Sequence, residues 1–139
     1  MKKVMVFGTF DVVHMGHIHM LKEAKEYGDY LVVCVARDKN VELIKGERPY
    51  YSEGERVEFL KQIAIVNHVI LGQLNDVYRD IGIIKPAVIA LGYDQKVFVD
   101  ELADAITAMN LKIPIVRLKP YRSGKYKSAK LKRYIQKLA

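Results

Sequence analysis

A parallel α/β sheet with helices on both faces is the fold class that this 139-residue sequence predicts. Three observations carry it. Short runs rich in Val, Ile and Leu alternate with segments of helical periodicity along the whole chain. One of these runs, YLVVCVA at 30–36, is apolar throughout, the pattern of a strand buried on both faces. The helical segments also carry start and stop signals where a helix needs them. Strict alternation calls for crossover connections, and therefore for parallel strands.

The elements follow in order. KKVMVFG at 2–8 is a short β-rich run ending in glycine and reads as the first strand. Next, His17, Met20, Leu21, Ala24 and Tyr27 recur at helical spacing, with Lys22, Glu23, Lys25 and Glu26 opposite and Gly28 expected at the C′ position. After YLVVCVA, the segment SEGERVEFLKQI opens with Ser52 and Glu55 spaced as a capping box and carries Val57, Leu60 and Ile63 on one face. HVILG is a third strand, NDVYRDIGI a short helix stopped by Pro86, and AVIALG a fourth strand. In DELADAITAMN, Leu102, Ala103, Ile106 and Met109 form an apolar stripe with Asn110 as its cap. IPIVRL is the fifth strand and SAKLKRYIQKL the last helix. There is no repeat, low-complexity stretch or linker, so residues 1–139 are expected to form one domain.

Composition narrows the class. Half the residues are hydrophobic, enough for a core without metal or disulfide staples. The apolar run of MKKVMVFG is too short for a signal peptide or a membrane span, so a cytoplasmic location and no membrane partner are expected by default. Cys34 is the sole cysteine, and within YLVVCVA it reads as a buried, unreactive thiol. The net charge of +7 is uneven: from Lys112 onward there are ten Lys or Arg and no Asp or Glu. That asymmetry points to an anionic partner, either nucleic acid or a polyphosphate ligand.

The stretch GTFDVVHMGH, 8–17, leaves the first strand at the sheet edge where α/β folds bind ligands. A helix starting near His14 or Met15 would aim backbone N–H groups and its positive dipole end into that crevice. Gly16 would let a ligand approach the backbone, and His14 and His17, three apart, share one side of the first turn. Rival motifs fail. Gly8 and Gly16 do not fit G-x-G-x-x-G. The GK at 124–125 lacks both the glycine expected at 119 and the Ser or Thr expected at 126. A His-x-x-His pair, even with Asp11 as third ligand, is a weak metal signal. His19 and His68 lack such company and read as structural or exposed.

Taken together, GTFDVVHMGH resembles the G-T-F-D-x-x-H-x-G-H signature of the cytidylyltransferase-like nucleotidyltransferases. The likeness extends along the chain. VARDKNVELIKGERPYYSEGERVEFL is similar to the family segment after the second strand, with Lys45 and Arg56 in matching places. LGYDQ corresponds to the G-x-D segment after the fourth strand. YRSGKYKSAKL stands where the family carries its second nucleotide motif, with Arg122 and Ser128 matching and basic residues replacing small polar ones. Within the family, VARD, KGERP and LGYDQ look most like the archaeal FAD synthases, which join AMP from ATP to FMN.

The resemblance implies a Rossmann-like domain with a five-stranded parallel sheet, ATP and FMN as substrates, Mg²⁺ or another divalent metal accompanying ATP, and a homodimer. It implies that His14 and His17 donate hydrogen bonds at the α-phosphate, as catalytic groups. Thr9, Phe10, Met15 and Gly16 would line the nucleotide through backbone groups, and Asp94 would accept from the base's exocyclic amine. Tyr121, Arg122 and Ser128 complete the expected nucleotide site, with Tyr93, Tyr50, Tyr51 and Tyr126 as further aromatic candidates. Lys45 would meet phosphate, and Asp11 would either orient the loop or meet Mg²⁺. Alternatives stay open at this point: glycerol-3-phosphate cytidylyltransferase, adenylyl transfer to phosphopantetheine or nicotinamide mononucleotide, or a non-enzymatic protein binding RNA or DNA through its basic segment. That last reading lacks interleaved aromatic recognition motifs and any zinc pattern.

Overall fold

The computed structural model describes residues 1–96, 99–121, 125 and 128–138. Five parallel strands form one sheet in the order β3-β2-β1-β4-β5. They are β1 (Lys3–Gly8), β2 (Tyr30–Val35), β3 (His68–Leu71), β4 (Val88–Leu91) and β5 (Ile115–Arg117). The helices are α1 (Met15–Lys25), α2 (Asp38–Lys45), α3 (Glu53–Lys61), α4 (Arg79–Ile84), α5 (Leu102–Ala108) and α6 (Ser128–Leu138).

The two-residue period of β1 divides the core. Val4 and Val6 face a layer with Leu21 and Ala24 of α1 and Leu60 of α3. Met5 and Phe7 face the opposite layer, with Ile81 of α4 and Leu102 and Ile106 of α5. Helices therefore cover both faces, which is why YLVVCVA had to be apolar at successive positions. The strand order reverses direction between β1 and β4, so the connections that leave those two strands diverge there.

Several local expectations need correction. Gly28 is not a left-handed helix cap: α1 is capped by Glu26 in a right-handed conformation, and among the described glycines Gly46, after α2, is the one with a positive φ. Gly28 is needed for close approach instead, since a Cβ there would lie 2.4 Å from the Lys2 carbonyl oxygen. Ala103 is exposed rather than part of the α5 stripe, where Leu102 and Ile106 are the buried residues. Tyr27 lies beyond α1 and is 37% exposed. Helix α2 was not anticipated. It buries only Val41 and leaves Leu43 and Ile44 exposed. Other signals hold: Ser52 and Glu55 form a reciprocal capping box, and Asn110 takes a left-handed φ of 59° after α5.

Candidate functional site

The chain leaves β1 through a turn whose shape depends on two residues of the GTF triplet. Phe10 has a φ of 53°, unusual for a residue with a side chain, and its ring is buried. That conformation lays the ring against Gly8, where a Cβ would come within 2.7 Å of Phe10 Cε2. Glycine at position 8 is therefore a packing requirement. The ring in turn backs His17, with centroids 5.5 Å apart.

His14 is the N-cap of α1. Its Nδ1 accepts the Gly16 N–H at 3.0 Å, and the His14 N–H donates to His17 Nδ1 at 3.2 Å. The two imidazoles thus replace the Ser/Thr and Glu of an ordinary capping box, with centroids 4.0 Å apart. Because each Nδ1 accepts, each neutral ring carries its proton on Nε2. Burial, then the nearby His14 and Lys45 charges, pushes the His17 pKa down to about 4; burial also lowers that of His14. Both side chains are therefore neutral donors at physiological pH. The cap also corrects the expectation of open backbone amides: Gly16 N–H is held by His14 Nδ1, and His17 N–H by the His14 carbonyl at 3.0 Å.

Asp11 is buried and organises the surrounding loops. Its Oδ2 accepts the Tyr50 N–H at 2.8 Å, its Oδ1 the Tyr51 N–H at 2.9 Å, and Lys132 of α6 pairs with Oδ2. Burial alone would raise the carboxyl pKa, but Lys132 and the two backbone donors hold it below the usual value. Ser128, the first residue of α6, donates through its hydroxyl to the Val12 carbonyl at 2.9 Å. The signature loop is thereby tied to both the segment before α3 and the last helix.

Arg56 of α3 completes this frame. Its side chain is wholly buried and donates to the Tyr51 carbonyl at 3.1 Å, the Thr9 carbonyl at 2.7 Å and Asp38 Oδ1 at 2.7 Å. The sequence flagged Arg56 only through resemblance. The available signal was an arginine on the apolar side of a capped helix, one residue from Val57 and four from Leu60.

The other expected residues divide. Thr9, Phe10, Met15 and Gly16 do lie at the β1–α1 turn, and Met15 is exposed. Lys45, the last residue of α2, is near enough to His17 to depress its pKa. Asp94 is exposed in the turn that follows β4. Tyr121 stacks on the exposed His19 ring, 4.4 Å away and 6° from parallel, so His19 has a partner that sequence reasoning missed. Arg122 and Tyr126 lie outside the described residues. Among the described residues no three His, Cys, Asp or Glu side chains come together as a metal site, and Asp11 has both oxygens engaged by protein donors. None of the described helices is long and apolar enough to cross a membrane.

Comparison with known proteins finds relatives along nearly the whole chain. The FAD synthase of Thermococcus sibiricus is 43% identical over 139 residues, covering 98% of this chain and 91% of that protein. The FAD synthase of Thermoplasma volcanium is 38% identical over 138 residues, covering 99% and 96%. A solved structure, described as the lipopolysaccharide core biosynthesis protein of Thermoplasma volcanium, superposes with a TM-score of 0.80 at 40% identity over 86% of this chain and 98% of that one. Pantothenate synthetase from Thermus thermophilus shares the fold alone, with a TM-score of 0.60 at 15% identity over 96% of this chain and 64% of its own. The cytidylyltransferase-like family model matches residues 5–133, from the middle of β1 well into α6, and the chain belongs to that family.

Proposed function

We propose that this protein is an FMN adenylyltransferase, transferring AMP from ATP to the phosphate of FMN with release of pyrophosphate. The observation that carries this reading is the pair of neutral imidazoles at the start of α1, within a chain resembling FAD synthases over nearly its full length.

An FMN phosphate oxygen attacks the α-phosphorus of ATP. A new P–O bond forms in line with the breaking bond to the bridging oxygen, and pyrophosphate leaves. The nucleophile is already ionised, so the protein's contribution is to hold two anions in line and stabilise charge developing on the α-phosphoryl oxygens. His14 and His17, with Nδ1 fixed as acceptors, present Nε2–H as donors for that charge. Their depressed pKa values keep them neutral, so no proton transfer is needed. Lys45 and the positive end of α1 offset repulsion between the two substrates. Thr9, Phe10, Met15, Gly16, Tyr121, Arg122 and Ser128 would border the nucleotide, with Asp94 accepting from the adenine amine. Asp11 serves as the loop organiser. A divalent ion such as Mg²⁺ would be carried by the triphosphate and water, as this ion commonly is.

The test is a product assay with ATP, FMN and Mg²⁺, separating FMN from FAD and measuring pyrophosphate. Equal molar FAD and pyrophosphate is the expected result. FMN left unconverted while CTP and glycerol 3-phosphate react would replace this reading by the cytidylyltransferase one. A homodimer is part of the proposal and is tested by light scattering of the eluted protein.

A further inference from the structure

Strands β1 and β4 pair from Val4↔Val88 to Val6↔Ala90 and then part. On its other side β1 stays paired with β2 as far as Gly8↔Val35, and β4 stays with β5 through Leu91↔Arg117. The sheet therefore splits at one seam, which is also where the strand order reverses.

Gln95 closes that seam. Its Nε2 donates to the Phe7 carbonyl of β1 at 2.9 Å, and its Oε1 accepts the Gly92 N–H, just past β4, at 2.7 Å. The orientation of the amide is fixed by its partners, since a carbonyl can only accept and a backbone N–H can only donate. One carboxamide thus stands in for the peptide group that a continued ladder would have placed there, and it spaces the two strand ends by the width of a side-chain amide. Backbone bonding reinforces the turn: Gln95 N–H donates to the Gly92 carbonyl at 3.2 Å. Arg117 of β5 donates to the carbonyls of Gly92 and Gln95 at 2.8 and 2.6 Å. Tyr93 and Asp94 occupy the turn so fixed.

We infer that Gln95 is a positioning residue that holds the Gly92–Gln95 turn against the end of β1 and so sets the nucleoside side of the crevice. The inference deepens the proposed function and rests on it, because it takes the crevice to hold a nucleotide. A carboxamide is required: a carboxylate cannot donate to Phe7, an aliphatic chain does neither task, and Asn is one methylene too short to span both partners. On the proposed reading this turn meets the nucleoside and not the reacting phosphorus. Its loss therefore weakens substrate and transition state alike, which raises KM and leaves kcat in place.

The experiment compares wild type, Gln95→Met and Gln95→Glu by nucleotide titration calorimetry, steady-state kinetics and hydrogen exchange at the Gly92 amide. Both variants are expected to bind ATP more weakly by about tenfold, the scale of one or two net hydrogen bonds. The ATP KM should rise in parallel, with kcat and the FMN KM within about threefold of wild type, and Gly92 exchange should accelerate. A merely structural glutamine would lower Tm and the active fraction while leaving the ATP KM and Kd unchanged, and that result would overturn the inference. Unaltered Gly92 exchange would overturn it too. A wild type that binds no nucleotide would remove the proposed function and this inference together. A wild type that binds, beside variants that bind equally well, would remove the inference alone.

Discussion

His17 Nδ1 accepts the backbone N–H of His14 while His14 Nδ1 accepts that of Gly16, so the two imidazoles cap the helix they begin. Capping and catalysis can be separated at His14. Asn is a good N-cap but has no donor where Nε2–H would stand, whereas Ala removes both. His14→Asn is expected to keep Tm near wild type, and His14→Ala to lose about 1 kcal/mol of stability. Both should lose about 100- to 1,000-fold in kcat, the usual scale for one transition-state donor. Thermal melts run beside FAD-formation assays decide it. An active His14→Asn would remove His14 from the chemistry.

The His17 environment also sets a pH dependence of stability. Burial, helped by the His14 and Lys45 charges, brings its folded pKa down to about 4 from the ordinary 6.5. Between those values the unfolded chain binds a proton that the folded chain refuses, so stability falls as pH drops through that window. Above 6.5 neither state is protonated and the contribution is fully present. Urea unfolding at pH 7.5 and pH 5 should show the wild type losing more stability than His17→Asn. Equal losses in the two proteins would mean that His17 titrates normally.

Arg56 supplies a prediction on the frame rather than the chemistry. Its guanidinium is the shared donor to Asp38, Thr9 and Tyr51, and its side chain has no exposure. Arg56→Met leaves a carboxylate and two carbonyls without it; breaking a fully buried pair costs about 3–5 kcal/mol, and the partial exposure of Asp38 puts the expected loss at or below the lower end of that range. Arg56→Lys should recover only part of that, because an ammonium lacks the planar fork that reaches three acceptors. Urea midpoints at constant m-value measure both. A midpoint unchanged in Arg56→Met would show that the three acceptors find other donors.

What the sequence made legible follows from which interactions are local. The β1–α1 turn, the Ser52 capping box and the all-apolar β2 are encoded within a few residues, and each was found where expected. The candidate site residues, His14 and His17, are read from the same short range. Contacts made across the fold were not legible. Nothing near Asp11 announces Lys132, 121 residues away, or the N–H groups of Tyr50 and Tyr51. Gln95 reaching Phe7 across 88 residues is of the same kind. Helix α2 carries ordinary local signals, with Asp38 in its first turn, Lys45 in its last and the left-handed Gly46 after it. But it packs little of itself, with one buried residue and two exposed apolar ones.

Asp11 offers the sharpest separation between two roles that the sequence left together, loop organiser and metal contact. Its two oxygens already receive two backbone donors and Lys132, which favours the first role. Asp11→Asn keeps the size but turns an acceptor into a donor facing either a backbone N–H or the lysine. The mismatch should cost about 1–3 kcal/mol in stability, the range for leaving a buried polar group unsatisfied. Looser tethering of the 50–51 segment and of α6 should also lower kcat/KM for both substrates. The dependence on Mg²⁺ discriminates between the roles. If Asp11 orients the loop, the Mg²⁺ concentration giving half-maximal rate is unchanged in Asp11→Asn, because no ligand to the ion has been lost. A requirement for about tenfold more Mg²⁺, equivalent to 1.4 kcal/mol of binding, would place the ion on Asp11 instead.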